Sequence, residues 1–369
     1  MISKKKYMFL AKYFRFLFLG VLFFFLLISG HFFYKINSNV EEAVAEVVKS
    51  KERSSSKSGS LALVDFFIER KTEIILLSEL EAVKKLDEEE GIKALRLVLE
   101  HLEKKGGPLS GLIRTDENGI LVWGVNKRGD KESLGLDISD REYFSWAKSQ
   151  KYPGRIYISD PLIARGGMNE GKLIVTIVTP VFDDNEFDGL LLLSFPLKDL
   201  ITRYIEQVAV LSSSKAYILN SNGDIIGASE DAGVGSNVFE FLKSKGKKEG
   251  DECWDLYKLA TSGGEGASIH CFPLIEEEGK IRMITAFSPV EIDESKWSLI
   301  ISSPYDYVKK LMSPLVNYTI LIYILFMVGI LLVFIVFIFS IRITQRDSFI
   351  KGFRKARNGF NNKDKLGKK

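Results

Sequence analysis

The stretch Asp137-Ile-Ser-Asp-Arg-Glu-Tyr-Phe144, followed by Tyr157-Ile-Ser-Asp-Pro161, is the most informative part of this chain. Ser139 and, three residues later, Glu142 form a capping-box pattern, in which each residue satisfies a free backbone N–H at the start of a helix. The pattern predicts a short helix from Asp140 to about Ser149.

The side chains of this predicted helix form a candidate binding corner. Arg141 places a permanent cation near a helix N-terminus, where backbone N–H groups also favour anions. Aromatic side chains follow it at Tyr143, Phe144 and Trp146. Such a corner suits a small carboxylate. The alternative is structural, with Arg141 paired to Asp137 or Asp160 and the aromatic rings in the core.

Two long apolar runs lie towards the ends of the 369-residue chain. Residues 16–34 and 320–341 contain no formally charged side chain. Each run is long enough to cross a bilayer core of about 30 Å as a helix. The sequence therefore predicts transmembrane helices at 16–35 and 317–341. A cleaved signal peptide is the competing interpretation of the first run, because a basic segment precedes it and Ser29-Gly30 follows an apolar stretch.

Charge predicts the orientation of these helices. Residues 1–15 carry +5 and residues 342–369 carry +8, and because the whole chain has a net charge of +3, the region between them carries −10. Basic flanks stay on the cytoplasmic side, which places residues 36–315 outside the cell (inner) membrane in a two-pass topology. An acidic external region also argues against nucleic-acid binding. The tail either lies on anionic membrane lipid, aided by Phe349, Phe353 and Phe360, or is disordered.

Periodicity divides the external region. Helical spacing through the first part is interrupted by a Ser/Lys-rich segment, 51–60, which predicts a bend. Period-two patterns then predict hairpins turning at Asn118-Gly119 and Asn222-Gly223. The predicted order is a cytoplasmic N-terminus at 1–15, transmembrane helix 16–35, helical spine 36–105, membrane-distal sheet domain 106–200, connecting helix 201–213, membrane-proximal sheet domain 214–308, transmembrane helix 317–341 and cytoplasmic tail 342–369.

Three further predictions refine this order. The distal domain has strands near 155–163, 172–182 and 188–195 after its capped helix. The proximal domain has a helix near 238–245 and later strands near 267–273, 280–289 and 296–303. It begins with the hairpin that turns at Asn222-Gly223, and its remaining segments are predicted loops. The first helix is either only a spine or also a parallel homodimer seam, although no strict heptad persists for three repeats.

Four motifs carry a family resemblance. D-x-x-D-R-x-Y-F at 137–144 and Y-I-S-D-P at 157–161 are followed by T-P-V-F-D-D at 179–184 and D-G-L-L-L-L from Asp188. In this order they resemble the membrane-distal half of double-Cache (dCache) sensor domains, the extracytoplasmic ligand-binding modules of bacterial chemoreceptors, sensor kinases and cyclic-dinucleotide enzymes. The resemblance covers about 36–308. It implies an α+β fold with two PAS-like antiparallel-sheet domains on a long N-terminal helix, flanked by two transmembrane helices.

The resemblance also implies a ligand site in the distal domain. Amino-acid binders among similar sensors combine an aromatic pair and an Arg on the helix with an Asp on the fifth strand. Here Ser194 lies near the place of that Asp, so an α-ammonium would lose its countercharge, which favours a carboxylate or a neutral small molecule. The candidate ligand-binding residues are Arg141, Tyr143, Phe144, Trp146, Trp123, Tyr157, Ser159, Asp160, Thr176 and Ser194.

The predicted function is extracytoplasmic sensing without catalysis. No phosphate loop or H-E-x-x-H motif occurs, and no cofactor is predicted. The 28 residues after the second run are too few for an output domain, so a separate cytoplasmic or membrane signalling partner is expected. The alternatives are a protein-binding scaffold with the same fold and a receptor fragment that lost its output domain.

Only two cysteines occur, Cys253 and Cys271. On the external side their spacing permits a disulfide, which would contribute about 3 kcal/mol in the loop-entropy model. Inert thiols are the alternative. Metal binding with the neighbouring His270 falls short of the usual four ligands, and no metal site is predicted.

Overall fold

The computed structural model describes residues 4–104, 108, 111–128, 131, 134–204, 214–229, 233–269, 282–293 and 295–366. They fall into two units, Met1–Val308 and Lys309–Lys369. The helices are α1 Lys4–Ser78, α2 Glu81–Lys84, α3 Glu88–Lys104, α4 Glu142–Ser149, α5 Leu197–Tyr204, α6 Val238–Ser244, α7 Glu252–Thr261 and α8 Asp306–Leu366. The strands are β1 Gly111–Thr115, β2 Leu121–Asn126, β3 Tyr157–Ile158, β4 Leu162–Ile163, β5 Leu173–Asp183, β6 Glu186–Pro196, β7 Lys215–Asn220, β8 Ile225–Ala228, β9 Gly266–Ser268, β10 Met283–Ile292 and β11 Ser295–Pro304.

Helix α1 runs without a break through the Ser/Lys-rich segment 51–60, so the predicted bend is wrong. The Ser54 hydroxyl donates to the Ser50 carbonyl oxygen at 3.1 Å, within the helix. The Ser56 hydroxyl donates to the Arg53 carbonyl within the helix and also lies 2.9 Å from the hydroxyl of Ser288 on β10, and Ser60 donates to the Pro289 carbonyl of β10. Packing against the second sheet thus stabilises helix where local composition favours a turn.

The break in the helical spine lies further along the chain than the sequence predicts. Helix α1 ends at Ser78, and the one-turn helix α2 and then helix α3 follow it. Leu86 between α2 and α3 has a positive φ of 52°, which ends the α2 turn and redirects the chain. The predicted helical spine 36–105 is therefore interrupted in this segment.

The first sheet has the order β2-β1-β6-β5-β3, with β4 also pairing with β5, and all its pairs are antiparallel. Its long β5–β6 hairpin turns at Asp184-Asn185, both with positive φ. The single strand predicted over 155–163 is two short strands, β3 and β4, separated by Ser159, Asp160 and Pro161. Proline removes a backbone donor, which is consistent with an interruption there.

The second sheet has the order β8-β7-β11-β10-β9 and is also antiparallel. Helices α6 and α7 belong to this half, and the sequence analysis missed α7. Cys253, Leu256, Tyr257 and Ala260 are buried at helical spacing on α7, a pattern that the sequence does contain. With α1 and two candidate membrane helices, the two sheets confirm the predicted α+β fold class.

One continuous hydrophobic core joins α1 to both sheets. Phe67 of α1 is fully buried, and its ring packs edge-on against Trp297 of β11 with centroids 5.7 Å apart. Phe66, the preceding residue, packs edge-on against Phe195 of β6 at 5.0 Å. Burial of each such ring contributes about 1.5–3 kcal/mol. Two consecutive residues of α1 therefore pack against different sheets.

Two helical stretches each contain a segment that is long and apolar enough to cross a membrane, Gly20–Ser78 within α1 and Asp306–Ser340 within α8. The first contains most of the predicted span 16–35, and the second contains most of 317–341. Of the predicted connecting helix 201–213, residues 201–204 belong to α5 and residues 205–213 lie outside the described part.

Candidate ligand cavity on the first sheet

The loop before α4 is held against the β1–β2 hairpin. Ile138 N–H donates to the Gly119 carbonyl at 3.0 Å. Gly119 has a φ of +89°, and a Cβ at this position would lie 2.9 Å from Ser139 Cα. Only glycine both adopts this conformation easily and leaves room for the loop. The hairpin tip therefore fixes where Arg141 begins the helix.

The predicted capping box at Ser139 is wrong, because the N-cap of α4 is Arg141 and no side chain caps the helix. Ser139 N–H donates to Asp137 Oδ1 at 2.8 Å, which forms an Asx turn before the helix. This hydrogen bond holds the pKa of the Asp137 carboxyl below its usual value. The helix thus begins two residues later than predicted, at Glu142.

A cavity of about 60 Å³ lies between α4, the loop after β4 and the free face of the first sheet. Four of the ten predicted ligand-binding residues line it: Arg141, Tyr143, Thr176 and Ser194. The other lining residues are Ile113, Leu121, Leu136, Ile138, Leu162, Ala164, Arg165, Gly166, Asn169, Ile174 and Leu192. None of these fifteen residues is an aspartate or glutamate.

Of the three side-chain nitrogens of Arg141, Nη2 makes a hydrogen bond and Nε is buried without one in the described structure. Its Nη2 donates to the Ile163 carbonyl at 2.9 Å, which orients the guanidinium towards the β4 loop. Its Nε is buried and has no hydrogen-bond partner among the described residues. A buried donor without an acceptor costs about 1–3 kcal/mol, so this nitrogen is suited to an added acceptor. Asp137 and Asp160, the alternative partners, accept hydrogen bonds from Ser139 and Trp297 instead.

Arg165 is the charged residue among the eleven lining residues that the sequence did not predict. Its guanidinium binds the Asp140 carboxylate through two bonds, Nη1–Oδ1 of 2.5 Å and Nη2–Oδ2 of 2.6 Å. This contact holds the pKa of Asp140 below its usual value. The ion pair ties the loop after β4 to the loop before α4, across the cavity.

Tyr143 shares the cavity with both guanidinium groups. Burial raises the pKa of its phenol to about 12, and the positive charges of Arg141 and Arg165 partly oppose this shift. The phenol is therefore neutral at physiological pH and can both donate and accept a hydrogen bond.

The floor of the cavity has a polar and an apolar half. Thr176 of β5 and Ser194 of β6 are directly paired in the antiparallel register. Two residues earlier on β6, Leu192 pairs with Ile113 of β1. Because residues two apart on a strand point to the same face, hydroxyl groups and aliphatic side chains lie side by side beneath the cavity. A ligand with one polar and one apolar end fits this floor.

The other six predicted residues do not line the cavity. Trp123 is buried in the core shared with the helical spine, against Gly91. Phe144 is buried and packs edge-on against Phe187 at 5.9 Å. Trp146 and Tyr157 pack against each other, with ring centroids 5.3 Å apart.

Ser159 and Asp160 lie behind the cavity. The Ser159 hydroxyl accepts from Thr176 N–H and lies within hydrogen-bond distance of the Thr176 hydroxyl, both at 3.0 Å. Asp160 Oδ1 accepts from the indole of Trp297 in the second sheet. These two residues therefore connect the cavity floor to the second sheet and do not line the cavity itself.

Metal and disulfide candidates add no second site within the described chain. No cluster of three or more His, Cys, Asp or Glu residues with metal-binding geometry occurs among the described residues. Cys253 is buried in the core of the second half. Cys271, its candidate partner, lies outside the described residues, as does His270, so the predicted disulfide stays a prediction.

Two antiparallel sheets on one long helix, with a cavity on the free face of the first, define a double PAS-like sensor module. A family model described as Cache domain matches residues 35–312. The chain belongs to the Cache-domain family, in its double (dCache) form, which confirms the resemblance noted in the sequence.

Solved structures share this fold at low sequence identity. The extracellular domain of the histidine kinase vpHK1S-Z8 is 14% identical with a TM-score of 0.54, over 77% of this chain and 99% of that chain. A domain of a sensory box/GGDEF family protein from Vibrio parahaemolyticus is 13% identical with a TM-score of 0.54, over 73% and 99%. Methyl-accepting chemotaxis protein X is 13% identical with a TM-score of 0.52, over 72% and 99%. No curated protein sequence matches the chain.

Proposed function

We propose that this protein is a membrane-anchored sensor whose first sheet binds a small carboxylate that carries no ammonium group. The supporting observation is that the cavity lining contains no carboxylate, and that Arg141 has no carboxylate partner among the described residues, whereas Arg165 is paired with Asp140. A zwitterionic amino acid would have to bury its ammonium group without a countercharge, which is costly. A simple carboxylate instead gains a charge-assisted hydrogen bond from Arg141 Nε.

Ser194 supports the same distinction. It lies on the cavity floor near the place where similar amino-acid sensors carry an Asp, and its hydroxyl is neutral. The cavity also favours the sensor over the protein-binding scaffold, since a scaffold needs no cavity lined by arginine and hydroxyl side chains. A small neutral ligand would leave the guanidinium charge of Arg141 unmatched.

L-Lactate and L-alanine test the ligand class. They have similar sizes and the same carboxylate group, but lactate carries a hydroxyl group where alanine carries an ammonium group. Calorimetry on the full chain in nanodiscs should detect lactate binding and at least tenfold weaker alanine binding. Arg141→Ala should weaken lactate binding by about 1.5–3 kcal/mol while the melting temperature changes little. Arg141→Lys should restore it poorly, because an ammonium lacks the planar fork.

Arg155→Ala is the matched control, since Arg155 is exposed in the same half of the chain and does not line the cavity. Unchanged lactate affinity in Arg141→Ala, combined with a large loss of stability, would show that Arg141 is structural. Tighter binding of alanine than of lactate would assign the cavity to amino acids.

The proposal includes a two-pass topology with residues 36–315 outside the inner membrane. Its support is the −10 charge of the central region between two basic flanks. Alkaline phosphatase fused after residue 200 should be active, and fused at the C-terminus it should be inactive. The reverse pattern would invert the topology.

Signal output is proposed to pass to a separate cytoplasmic or membrane partner, contacted through the membrane helices or the basic segment 342–369. That segment carries ten Lys/Arg against two Asp, a composition that also favours contact with anionic membrane lipid. Photo-crosslinking from residues of this segment in native membranes should trap a second protein. Trapping of only this chain and lipid would favour a receptor fragment that lost its output domain.

A further inference from the structure

We infer that the buried carboxyl of Glu52 is a proton-binding site where α1 meets the end of β11, and that release of its proton to water opens this contact. The ligand is the proton, so the site makes the protein sensitive to external pH. This inference goes beyond the proposed function, because it concerns the second half of the chain and requires no ligand in the first-sheet cavity.

The Glu52 carboxyl is fully buried at this contact. Its Oε1 accepts hydrogen bonds from the Ser303 hydroxyl of β11 and, at 3.2 Å, from the Ser214 hydroxyl before β7. Its Oε2 is buried and has no hydrogen-bond partner among the described residues. A charged carboxylate is therefore only half satisfied here, whereas a protonated carboxyl can donate to a serine oxygen, since hydroxyls accept as well as donate.

No described cation compensates this carboxylate. Burial raises the pKa of Glu52 above its usual value, the two hydroxyls partly oppose this shift, and no nearby charge contributes to it. The charged or titratable groups of the surrounding elements are Lys49, Lys51 and Arg53 on α1, Lys215 at the start of β7, Arg282 before β10 and Tyr305 after β11.

Several of these groups are engaged with each other or with other residues. Lys49 and Arg53 pair with Glu46 and Glu265. The Arg282 guanidinium lies over the Tyr305 ring, 4.4 Å from its centroid. A proton is thus the countercharge that the site itself provides for.

The site lies between segments that lead into the two predicted membrane helices. Helix α1 is continuous from Lys4 to Ser78, so it contains both the predicted span 16–35 and Glu52. Strand β11, which carries Ser303, ends at Pro304, and α8 begins two residues later. Further along α1, the contacts of Ser56 and Ser60 hold the helix on β10. Opening at Glu52 therefore loosens the part of the α1 contact next to α8, while these later contacts remain.

The direction of the pH response follows from the raised pKa. Such a group stabilises the closed contact fully below about pH 4.5, its ordinary pKa, and this stability is lost as the pH rises through the pKa of the closed state. Between these two pKa values, each pH unit shifts the equilibrium towards the open contact by up to about tenfold. The contact should therefore be closed in acid and looser at higher pH.

Hydrogen exchange of the full chain in nanodiscs at pH 5 and pH 8 tests this response. Glu52→Gln, measured at the same two pH values, removes the titration, and the ratio of exchange rates (unchanged chain over variant) cancels the intrinsic effect of pH. In peptides covering 49–56 and 299–304, this ratio should rise at least fivefold from pH 5 to pH 8. In a β5 peptide, 174–183, it should stay within twofold.

Glu265→Gln is the matched control, because Glu265 also joins the second half to α1, through Arg53 and Lys57. These contacts hold its pKa below the usual value, so it is charged at both pH values. Its exchange ratio in the same peptides should therefore change less than twofold between pH 5 and pH 8.

Ser303→Ala assigns the proton to Glu52. It removes a hydrogen bond that favours the charged carboxylate, so the pKa of Glu52 should rise further. With Glu52→Gln as the reference in each background, the pH at which the exchange ratio levels off should be higher in Ser303→Ala than in the unchanged chain.

A ratio that does not rise in peptides 49–56 and 299–304, or a levelling pH that Ser303→Ala leaves unchanged, would overturn the inference. An equal rise in the β5 peptide would also overturn it, because the charge would then weaken the whole fold and not this contact. None of these outcomes depends on binding in the first-sheet cavity, so failure here leaves the proposed function intact.

Discussion

The indole Nε1 of Trp297 donates a hydrogen bond of 2.9 Å to Asp160 Oδ1, and this bond joins the second sheet to the link between β3 and β4 of the first. Asp160 follows Ser159, whose hydroxyl contacts Thr176 on the cavity floor. Trp297 lies on β11, the strand that leads along the chain into α8. A contiguous path of packed and hydrogen-bonded groups therefore connects the cavity to the strand before the second membrane helix.

The Trp297–Asp160 bond should couple the stabilities of the two halves. Trp297→Phe removes the N–H donor and keeps a ring against Phe67, and Asp160→Ala removes the acceptor. Urea unfolding of both single variants and the double variant should give a coupling energy of about 1 kcal/mol, the net value of one such bond. Asp160→Asn retains an acceptor oxygen and should lose less than Asp160→Ala. Additive single effects would show that the contact carries no coupling.

Arg114 and Asp188 form a buried ion pair, and Asp188→Asn should destabilise the fold. The Arg114 side chain is fully buried, and its Nη2 lies 2.6 Å from Asp188 Oδ2. Burial lowers the pKa of Arg114, and the Asp188 charge opposes this. Without that charge a buried guanidinium loses its counterion, which costs about 3–5 kcal/mol.

Chemical denaturation with Glu90→Gln as the control checks this expectation. Glu90 pairs with Lys93 on α3, and both side chains are more than half exposed, so this change should cost less than about 0.5 kcal/mol. Equal losses in the two variants would contradict the structural role assigned to Asp188.

Part of the site could be predicted from local sequence and part could not. Arg141 and Tyr143 lie two residues apart in one motif, so the sequence alone predicts that their side chains are close together. Arg165 is far along the chain, before a Gly166-Gly167 pair that reads as a loop, and only the path of β4 and β5 brings it to Asp140. A bulge in the β1–β2 register pairs Trp123 and Leu121 with consecutive residues of β1. The two side chains therefore reach different cores, although period two predicts one face.

The turns and helices also include some features that the sequence predicts and some that it does not. The hairpins at Gly119 and Gly223 follow from turn chemistry, and their glycines have positive φ as that chemistry requires. The unbroken α1 does not follow from its serines, because contacts of Ser56 and Ser60 with β10, distant in sequence, decide it. Local patterns thus predict turns well, and tertiary contacts override them in the spine.

Because of Glu52, the fold should lose stability as the pH rises above the usual pKa of a glutamate side chain. Glu52 lies on α1 well past the apolar run 16–35, fully buried, and its Oε1 accepts from Ser303 and Ser214 of the second half. Desolvation raises its pKa above the ordinary 4.5, although the two hydroxyls oppose this. A raised folded pKa contributes stability that is fully present below about pH 4.5 and is lost as pH rises through the folded pKa.

Unfolding free energies measured between pH 4 and pH 8 check this sign. Glu52→Gln removes the titration, so its stability relative to the unchanged chain should be higher at pH 8 than at pH 4. Glu46→Gln is the control, because Glu46 is 53% exposed and bound to Lys49. A greater relative stability of Glu52→Gln at pH 4 than at pH 8 would mean that the buried carboxylate is stabilised in its charged form.

The outer face of α1 should form a parallel homodimer seam. Val47, Leu61 and Ile68 are 58%, 55% and 52% exposed, and their positions differ by multiples of seven, with Ser54 at the intervening position. A seven-residue repeat places side chains on one stripe that a second helix of the same kind can cover. A second copy of this chain is the occupant that matches such a stripe along its whole length.

In a background with Cys253 and Cys271 replaced by alanine, Leu61→Cys should therefore form a disulfide-linked dimer on oxidation in membranes. Leu97→Cys, at a 62% exposed leucine on α3, should not. Crosslinking of the Leu97→Cys variant but not of the Leu61→Cys variant would place the dimer contact on α3, and crosslinking of neither would leave α1 as a spine alone.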